Sequence, residues 1–171
     1  MILPGASIVQ MSWLVNSLDA AAQRYSSTMA AGPFRAFRHL QVANGLHRGR
    51  PASFDFSVAM MQAGDVMVEL IEQHDKKPSV YRDLYPDGGE GFHHVAVIVP
   101  DVAAELARYR ALGFEVGSSG RFGDADFAYV DTSPATGFMV EVLTDSPGIR
   151  ALFGSVRKSA VNWDGKTALI G

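Results

Sequence analysis

The stretch FHHVAVIV, residues Phe92–Val99, indicates the fold because an earlier stretch of the chain resembles it. IVQMSWLV, residues Ile8–Val15, lies 84 residues before it and has the same apolar character. Beyond each stretch, the same offset aligns three identical pairs: Ala20 with Ala104, Arg24 with Arg108, and Tyr25 with Tyr109. A fixed offset that continues through several matches indicates an internal duplication.

Each apolar stretch is followed by an alanine-rich helix. We predict helices over Leu18–Ala30 and Val102–Leu112. Ser17 and Asp101 occupy the same place in the two copies, where a side-chain oxygen can cap the first turn of a helix. The duplication therefore covers a strand and the helix after it.

A second correspondence lies at the end of each copy. Asp65–Ile71 aligns with Gly137–Leu143, and both contain the tripeptide Met-Val-Glu. Two further strand candidates lie between the helix and the last strand of each copy: Phe34–Val42 and Ser53–Met61 in the first, and Phe114–Ser118 and Phe127–Asp131 in the second. The alternation in Phe54–Met60 is typical of a half-buried strand. Each half thus has the order strand, helix, strand, strand, strand.

This order predicts an α+β protein made of two βαβββ modules. The first module covers residues 1–74, and the second covers residues 92–145. Residues 75–91 are rich in turn-forming residues and form the linker between the modules. Residues 146–171 form a C-terminal helix, over Ile149–Ala160, and a tail.

Composition excludes several classes of protein. The 171 residues carry a net charge of −3, and Lys76-Lys77 is the longest basic run, so no basic surface for nucleic acid is expected. No cysteine is present, so any metal must be bound by nitrogen and oxygen. The N-terminal Met1–Gly5 stretch lacks the features of a signal peptide, and no apolar run could span a bilayer. A cytoplasmic protein without membrane contact is expected.

Strand alternation singles out four polar residues. Gln10, Glu69, His94 and Glu141 lie on the face of their strands that is opposite the predicted helices, among apolar neighbours. Two buried carboxylates are costly unless they are paired or coordinated, and a divalent cation would accept all four groups. The alternatives are that the glutamates meet arginine or lysine, or lie at exposed strand ends. Gln10 alone is also compatible with an ordinary hydrogen-bonded amide.

Other histidines, methionines and arginines also have side chains suited to a chemical role. By alternation, His93 points toward the helices and has a core or hydrogen-bonding role. His39, His47 and His74 have no sequence partner at ligand spacing. The methionines that suit an apolar pocket or plain core are Met60, Met61, Met67 and Met139. The arginines that could bind an anionic substrate group are Arg35, Arg38, Arg48, Arg50 and Arg121.

The module order, the Phe92–Asp101 stretch and the two Met-Val-Glu strands resemble the vicinal oxygen chelate superfamily, which includes glyoxalases, bleomycin-resistance proteins and extradiol dioxygenases. The resemblance covers about Ile8–Leu143. It implies a cup-shaped mixed sheet with helices on its outer face. It also implies one divalent metal ion (Zn, Ni, Co, Mn or Fe) on Gln10, Glu69, His94 and Glu141.

The ligand set distinguishes among these relatives. Gln10 replaces the first histidine typical of extradiol dioxygenases, and both Gln10 and Glu69 depart from the pattern usual in methylmalonyl-CoA epimerase. The set Gln, Glu, His, Glu is similar to that of some glyoxalase I enzymes. One fold hosts many chemistries, so the substrate is not encoded in this set.

The resemblance implies a glyoxalase I-like or methylmalonyl-CoA epimerase-like lyase or isomerase. Such an enzyme moves a proton next to a carbonyl through a metal-stabilised enediolate, with Glu141 or Glu69 as the base. The alternative is a metal-free module of the bleomycin-resistance type that binds a small molecule. A small-molecule substrate and a homodimer are expected. Whether the site forms within one chain or across the dimer stays open.

Overall fold

The computed structural model of the chain describes residues 7–161 and 163–171. The Met1–Gly5 stretch, on which the signal-peptide prediction rests, lies outside them. The strands are β1 (Ile8–Leu14), β2 (Phe34–Phe37), β3 (Ala43–His47), β4 (Arg50–Pro51), β5 (Phe56–Ala63), β6 (Val66–Gln73), β7 (Gly91–Val99), β8 (Glu115–Phe122), β9 (Ala125–Asp131), β10 (Met139–Thr144) and β11 (Leu169–Ile170). The helices are α1 (Leu18–Met29), α2 (Val80–Leu84), α3 (Val102–Ala111), α4 (Ser133–Thr136) and α5 (Pro147–Val161).

The described strands form one mixed sheet, in the order β11-β2-β5-β6-β1-β7-β10-β9-β8-β3-β4. Its centre is the antiparallel pair of β1 and β7, the first strands of the two modules. Each of these strands also runs parallel to the last strand of its own module, β1 to β6 and β7 to β10. The predicted fold class, two βαβββ modules in one curved sheet, is confirmed.

The predicted strand Phe34–Val42 was wrong in its extent. β2 ends at Phe37, and the backbone then turns at His39, whose φ is 51°. The chain continues as β3, which pairs with β8 of the other module as well as with β4 of its own. This close approach requires Gly120 on β8, because a Cβ there would collide with the Val42 side chain. Strand β3 therefore connects the first module to the edge of the second at one end of the sheet.

The two module helices agree with the predictions to within one residue at each end. The Ser17 Oγ atom accepts a hydrogen bond from the Ala20 amide at 3.3 Å, and an Asp101 carboxylate oxygen accepts one from the Ala104 amide at 3.0 Å. Both helices cover the outer face of the sheet, each over an apolar cluster of its own module. The predicted caps are therefore present in both copies.

A third and larger apolar cluster fills the inside of the cup. It combines residues of both modules with Ile149 and Val156 of α5. The C-terminal helix, predicted over Ile149–Ala160, extends from Pro147 to Val161 and packs on β5. The cup is therefore closed on its inner side by a helix that neither module supplies.

The stretch between the modules, predicted as a linker of turns, contains helix α2. Ser79 caps this helix by accepting a hydrogen bond from the Arg82 amide at 3.2 Å. Val80 and Tyr81 are buried in the same cluster as the inside of the cup. This stretch is therefore also part of the wall of the cup.

Helix α5 is the longest of the described helices at 15 residues, and none of the described helices has the length and apolarity that crossing a membrane requires.

The Asp101 cap gives a test of the second module. Asp101→Ala removes the acceptor of the Ala104 amide, so we expect the free energy of unfolding to fall by about 1 kcal/mol. Asp101→Asn keeps a side-chain acceptor and should lose much less. Urea unfolding followed by circular dichroism measures both variants. An Asp101→Ala variant as stable as the unmodified protein would contradict the role of this cap.

Candidate functional site

The four predicted site residues lie at the floor of the cup, on its four central strands. Gln10 is on β1, Glu69 on β6, His94 on β7 and Glu141 on β10, and all four are at most 8% exposed. Across the central pair of strands, Gln10 is opposite Ala96 and Ser12 is opposite His94. The duplicated positions therefore lie around a common centre within a single chain.

The imidazole of His94 lies between the two carboxylates. Its Nε2 atom is 3.6 Å from Glu69 Oε2 and 3.4 Å from Glu141 Oε2. His94 Nε2 forms no hydrogen bond with either carboxylate, and it is buried without a hydrogen-bond partner among the described residues. The Nε2 atom of the Gln10 amide is also buried without such a partner.

Hydrogen bonds behind His94 set the position of its ring proton. His93 Nε2 lies 3.2 Å from the Val80 carbonyl oxygen, which can only accept, so this nitrogen carries the proton of His93. His93 Nδ1 is then an acceptor for His94 Nδ1, at 3.0 Å. With its proton on Nδ1, neutral His94 has a lone pair on Nε2, which is the form that binds a metal.

The prediction that His93 points toward the outer helices was wrong. The pairing of β1 with β7 changes register between Ser12 and Trp13, opposite His94 and Phe92, so His93 is the extra residue of a β-bulge. Its ring packs against Tyr81 and Tyr129 at centroid distances of 5.1 and 5.8 Å. A bulge interrupts the alternation of side chains, so both histidines lie on the inner side.

Burial determines the protonation of the group. Loss of solvent raises the pKa of Glu69 to about 8, with a further increase from Glu141, and raises the pKa of Glu141 to about 7. Burial lowers the pKa of His94 to about 3 and that of His93 to about 3. At neutral pH both imidazoles are therefore neutral, and two carboxyl groups compete to avoid carrying charge in a buried site.

Two kinds of residue near the four site residues were not identified from the sequence: a hydroxyl-bearing serine and two tyrosines. Ser12 donates a hydrogen bond from its hydroxyl to Glu69 Oε2 at 2.7 Å. Tyr129 lies over His94 with ring centroids 4.9 Å apart, and its hydroxyl is 3.4 Å from that of Tyr81. Ser12 shares the inward face of β1 with Gln10, so strand alternation could have identified it. Tyr81 comes from the linker, where no alternation applies.

The distances around His94 Nε2 are those expected of ligands that share a divalent cation. Two ligands that each lie about 2.1 Å from a tetrahedral ion are about 3.4 Å apart. The distances from His94 Nε2 to the two carboxylates are close to this value. A cation would also give the unpartnered nitrogen of His94 a bond and offset the charge of the two glutamates. Gln10 would contribute Oε1 after its amide rotates by half a turn.

A cavity of about 220 Å³ opens above this floor. Its polar lining residues are Gln10, Glu69, Ser118 and Glu141. Its apolar and aromatic lining residues are Phe37, Leu40, Val42, Phe54, Phe56, Val58, Met60, Tyr81, Phe122, Phe127, Tyr129, Leu143, Ile149, Leu152 and Phe153. Met60 lines the cavity, and Met67 and Met139 pack behind it. Met61 instead lies in the apolar cluster beneath α1.

The five arginines predicted as candidates for binding an anionic substrate group lie outside the lining of this cavity. Arg38 pairs with Asp19 at 3.0 Å, and Arg48 pairs with Asp83 and Asp131 at 2.9 and 2.6 Å. None of the residues described as lining the cavity is an arginine or a lysine. The other three considered, Arg35, Arg50 and Arg121, also lie outside the lining.

Three histidines without a partner at ligand spacing in the sequence, His39, His47 and His74, have partners in the structure, because the fold joins residues that are distant in sequence. His39, Asp55 and His74 offer ligand atoms that all lie within 4.8 Å of one another. His47 Nε2 lies 3.1 Å from Asp83. The trio lies at the surface, with the His39 side chain 63% exposed.

Comparison with known proteins gives the family of the chain. The model of the Glyoxalase/Bleomycin resistance protein/Dioxygenase superfamily matches residues 9–130. No curated protein matches the chain.

Several solved structures share the fold. A hypothetical protein of Bacillus halodurans C-125 has a TM-score of 0.61 at 16% identity, covering 84% of this chain and 96% of that one. A methylmalonyl-CoA epimerase of Streptomyces coelicolor has a TM-score of 0.53 at 20% identity, covering 82% and 94%. The methylmalonyl-CoA epimerase of Mycobacterium tuberculosis has a TM-score of 0.54 at 16% identity, covering 84% and 91%. The chain therefore belongs to the glyoxalase, bleomycin-resistance protein and dioxygenase superfamily, the vicinal oxygen chelate superfamily.

Proposed function

We propose that the protein is a metal-dependent isomerase, epimerase or lyase that moves a proton at a carbon next to a carbonyl. The observation that carries the proposal is the position of His94 Nε2, which is buried without a partner among the described residues and lies 3.6 and 3.4 Å from two buried carboxylates, close to the spacing of ligands that share an ion. Similarity to the epimerases at 16–20% identity concerns the fold, so the proposal rests on these side chains.

In this proposal Gln10, Glu69, His94 and Glu141 bind one divalent cation. The ion would act as a Lewis acid on two adjacent substrate oxygens. A chelated substrate would lie over the floor, within the reach of both glutamates. One carboxylate would take the proton from the substrate carbon. In an isomerisation it would return the proton to the neighbouring carbon, and in an epimerisation the other carboxyl group would donate a proton to the opposite face.

The remaining side chains hold this group in place. Ser12 orients Glu69 through its hydroxyl, and His93 keeps the His94 proton on Nδ1. Such partners behind a metal ligand fix its orientation and its tautomer. The aromatic side chains above the floor exclude water, which strengthens each electrostatic interaction with the substrate.

The second candidate function is binding without catalysis. The apolar cavity supports it, because such a cavity can hold a small molecule without any metal. The two candidates differ in metal content: the enzyme should retain stoichiometric divalent metal when it is purified without chelator, and the binding module should not.

Metal binding is tested with two charge-removing variants. Zinc titration of chelator-treated protein should show affinity at least about tenfold weaker in Glu69→Gln and in Glu141→Gln, since each loses a ligand charge. Glu115→Gln, on a side chain that is 82% exposed, is the matched control and should bind as the unmodified protein does. The surface trio is intact in all variants, so differences report on the cup. Unchanged zinc affinity in both buried variants would refute the site.

The stability of the metal-free protein should depend on pH. The folded pKa values of Glu69 and Glu141 are raised, so their contribution is complete below about pH 4.3 and is lost as pH rises through the folded values. The lowered pKa values of the two histidines give a contribution that is complete above about pH 6.5. Between pH 6.5 and 8.5 we therefore expect the melting temperature to fall.

Thermal unfolding of metal-free protein across this range measures the effect. Glu69→Gln should reduce the fall, Glu115→Gln should keep it, and added zinc should abolish it. A melting temperature that rises with pH in the metal-free protein would contradict the buried carboxylate pair.

Proton transfer itself is tested by isotope exchange. Candidate acyl-CoA, hemithioacetal and ketosteroid substrates are incubated in deuterated water with zinc, cobalt, nickel or manganese, and loss of the carbon-bound proton is followed by NMR. For a compound that exchanges, replacing the base by glutamine should slow exchange by about 10²-fold or more. Full rates in Glu69→Gln and in Glu141→Gln would exclude this mechanism.

A further inference from the structure

The cavity above the candidate metal site differs from its floor in chemistry. Its walls are aromatic and aliphatic, and its charged groups are the two glutamates of the floor. Phe54 and Phe56 from one module face Phe127 from the other, and Tyr81 packs edge-on against Phe54 at a centroid distance of 5.6 Å. Any ligand body in this space is surrounded by carbon.

Charge balance favours an uncharged ligand. Two ionised glutamates and one divalent cation sum to zero, so the floor offers a substrate no net charge. Along the rest of the described lining, no lysine or arginine is available to balance a carboxylate or phosphate. An unpaired ionised group in such surroundings costs several kcal/mol, which would weaken its binding by orders of magnitude.

Helix α5 adds apolar side chains to the cavity. Leu152 and Phe153 line it, and Val156 on the same helix is fully buried. The family match ends at residue 130, before α5 begins at Pro147, so this cover lies outside the matched region. A polar tail against this helix would lose solvent without gaining a polar partner.

The volume of the cavity limits the size of the ligand. An apolar cavity of about 150 Å³ holds one benzene molecule. The cavity here, at about 220 Å³, has room for one six-membered ring and a short substituent. We propose that the substrate is an uncharged compound with a single aromatic ring and a short side chain that bears two adjacent oxygens, as in an aryl α-hydroxyketone. This inference rests on the proposed function for the role of the two oxygens, while the ring is assigned by the walls.

Ligand binding to the zinc-loaded protein tests the inference. The probes are 2-hydroxyacetophenone, hydroxyacetone, which has the same two oxygens without the ring, and propionyl-CoA, which carries a long anionic tail. Isothermal titration should give 2-hydroxyacetophenone a dissociation constant at least about tenfold lower than either of the others, because burial of the ring removes apolar surface from water. Equal or tighter binding of hydroxyacetone or of propionyl-CoA would overturn the inference.

A matched pair of variants on α5 locates the binding. Leu152→Lys places a charge in the cavity and should weaken binding of 2-hydroxyacetophenone at least about tenfold, with zinc affinity retained. Val161→Lys adds the same charge to the same helix at a position that is 78% exposed, and it should leave binding unchanged. Circular dichroism confirms that the variants are folded, and the comparison of the three probes does not depend on them. Unchanged binding in folded Leu152→Lys would refute this location for the ring.

The two proposals fail separately. Proton exchange of 2-hydroxyacetophenone in deuterated water tests the chemistry, in which a carboxylate takes the C–H proton and a deuteron from solvent returns to the same carbon. Selective binding without exchange would refute proton transfer for this ligand and support the assigned substrate class. Exchange in compounds without a ring, combined with no preference for the ring in binding, would support proton transfer and refute the class.

Discussion

Two carboxylates buried next to a neutral imidazole impose the main constraint on this structure. Removing a carboxylate from water is costly, and Glu69 and Glu141 add mutual repulsion to that cost. The protein alone can respond by keeping a proton on a carboxyl group, which is the physical meaning of the raised pKa values. A divalent cation is the other response. Because His94 presents a lone pair and no proton, the group is suited to the cation.

Gene duplication accounts for the symmetric part of this arrangement, and the linker accounts for the asymmetric part. The central strands β1 and β7 bring equivalent positions together, so each module supplies one glutamate and one polar residue of a first strand. The state of His94, however, depends on His93 and on the carbonyl of Val80 in α2. A linker that joins the modules therefore also determines which nitrogen of the imidazole is free.

The walls of the cup differ from its floor in chemistry. Strand β3 pairs with β8 of the other module, and α5 closes the inner face. Leu40 and Val42, just before β3, and Ile149, Leu152 and Phe153 of α5 bring apolar side chains to the cavity, whereas none of its described lining residues is an arginine. In the proposed function, the floor would supply the chemistry and the walls would select the molecule on which it acts.

The duplicated order of elements, the two capped helices and the four inward-facing polar residues could be predicted from the sequence. Each follows from periodicity within one strand or one helix. The sequence did not predict the turn at His39, the bulge at His93 or the helix at Val80. These depend on contacts between segments distant in sequence: β3 lies against Gly120, and the register of β1 with β7 places His93 inside the cup. The tertiary structure alone shows that the four polar residues meet within one chain and that the cavity above them is lined mainly by apolar side chains, since local periodicity carries no information about which distant side chains share a space.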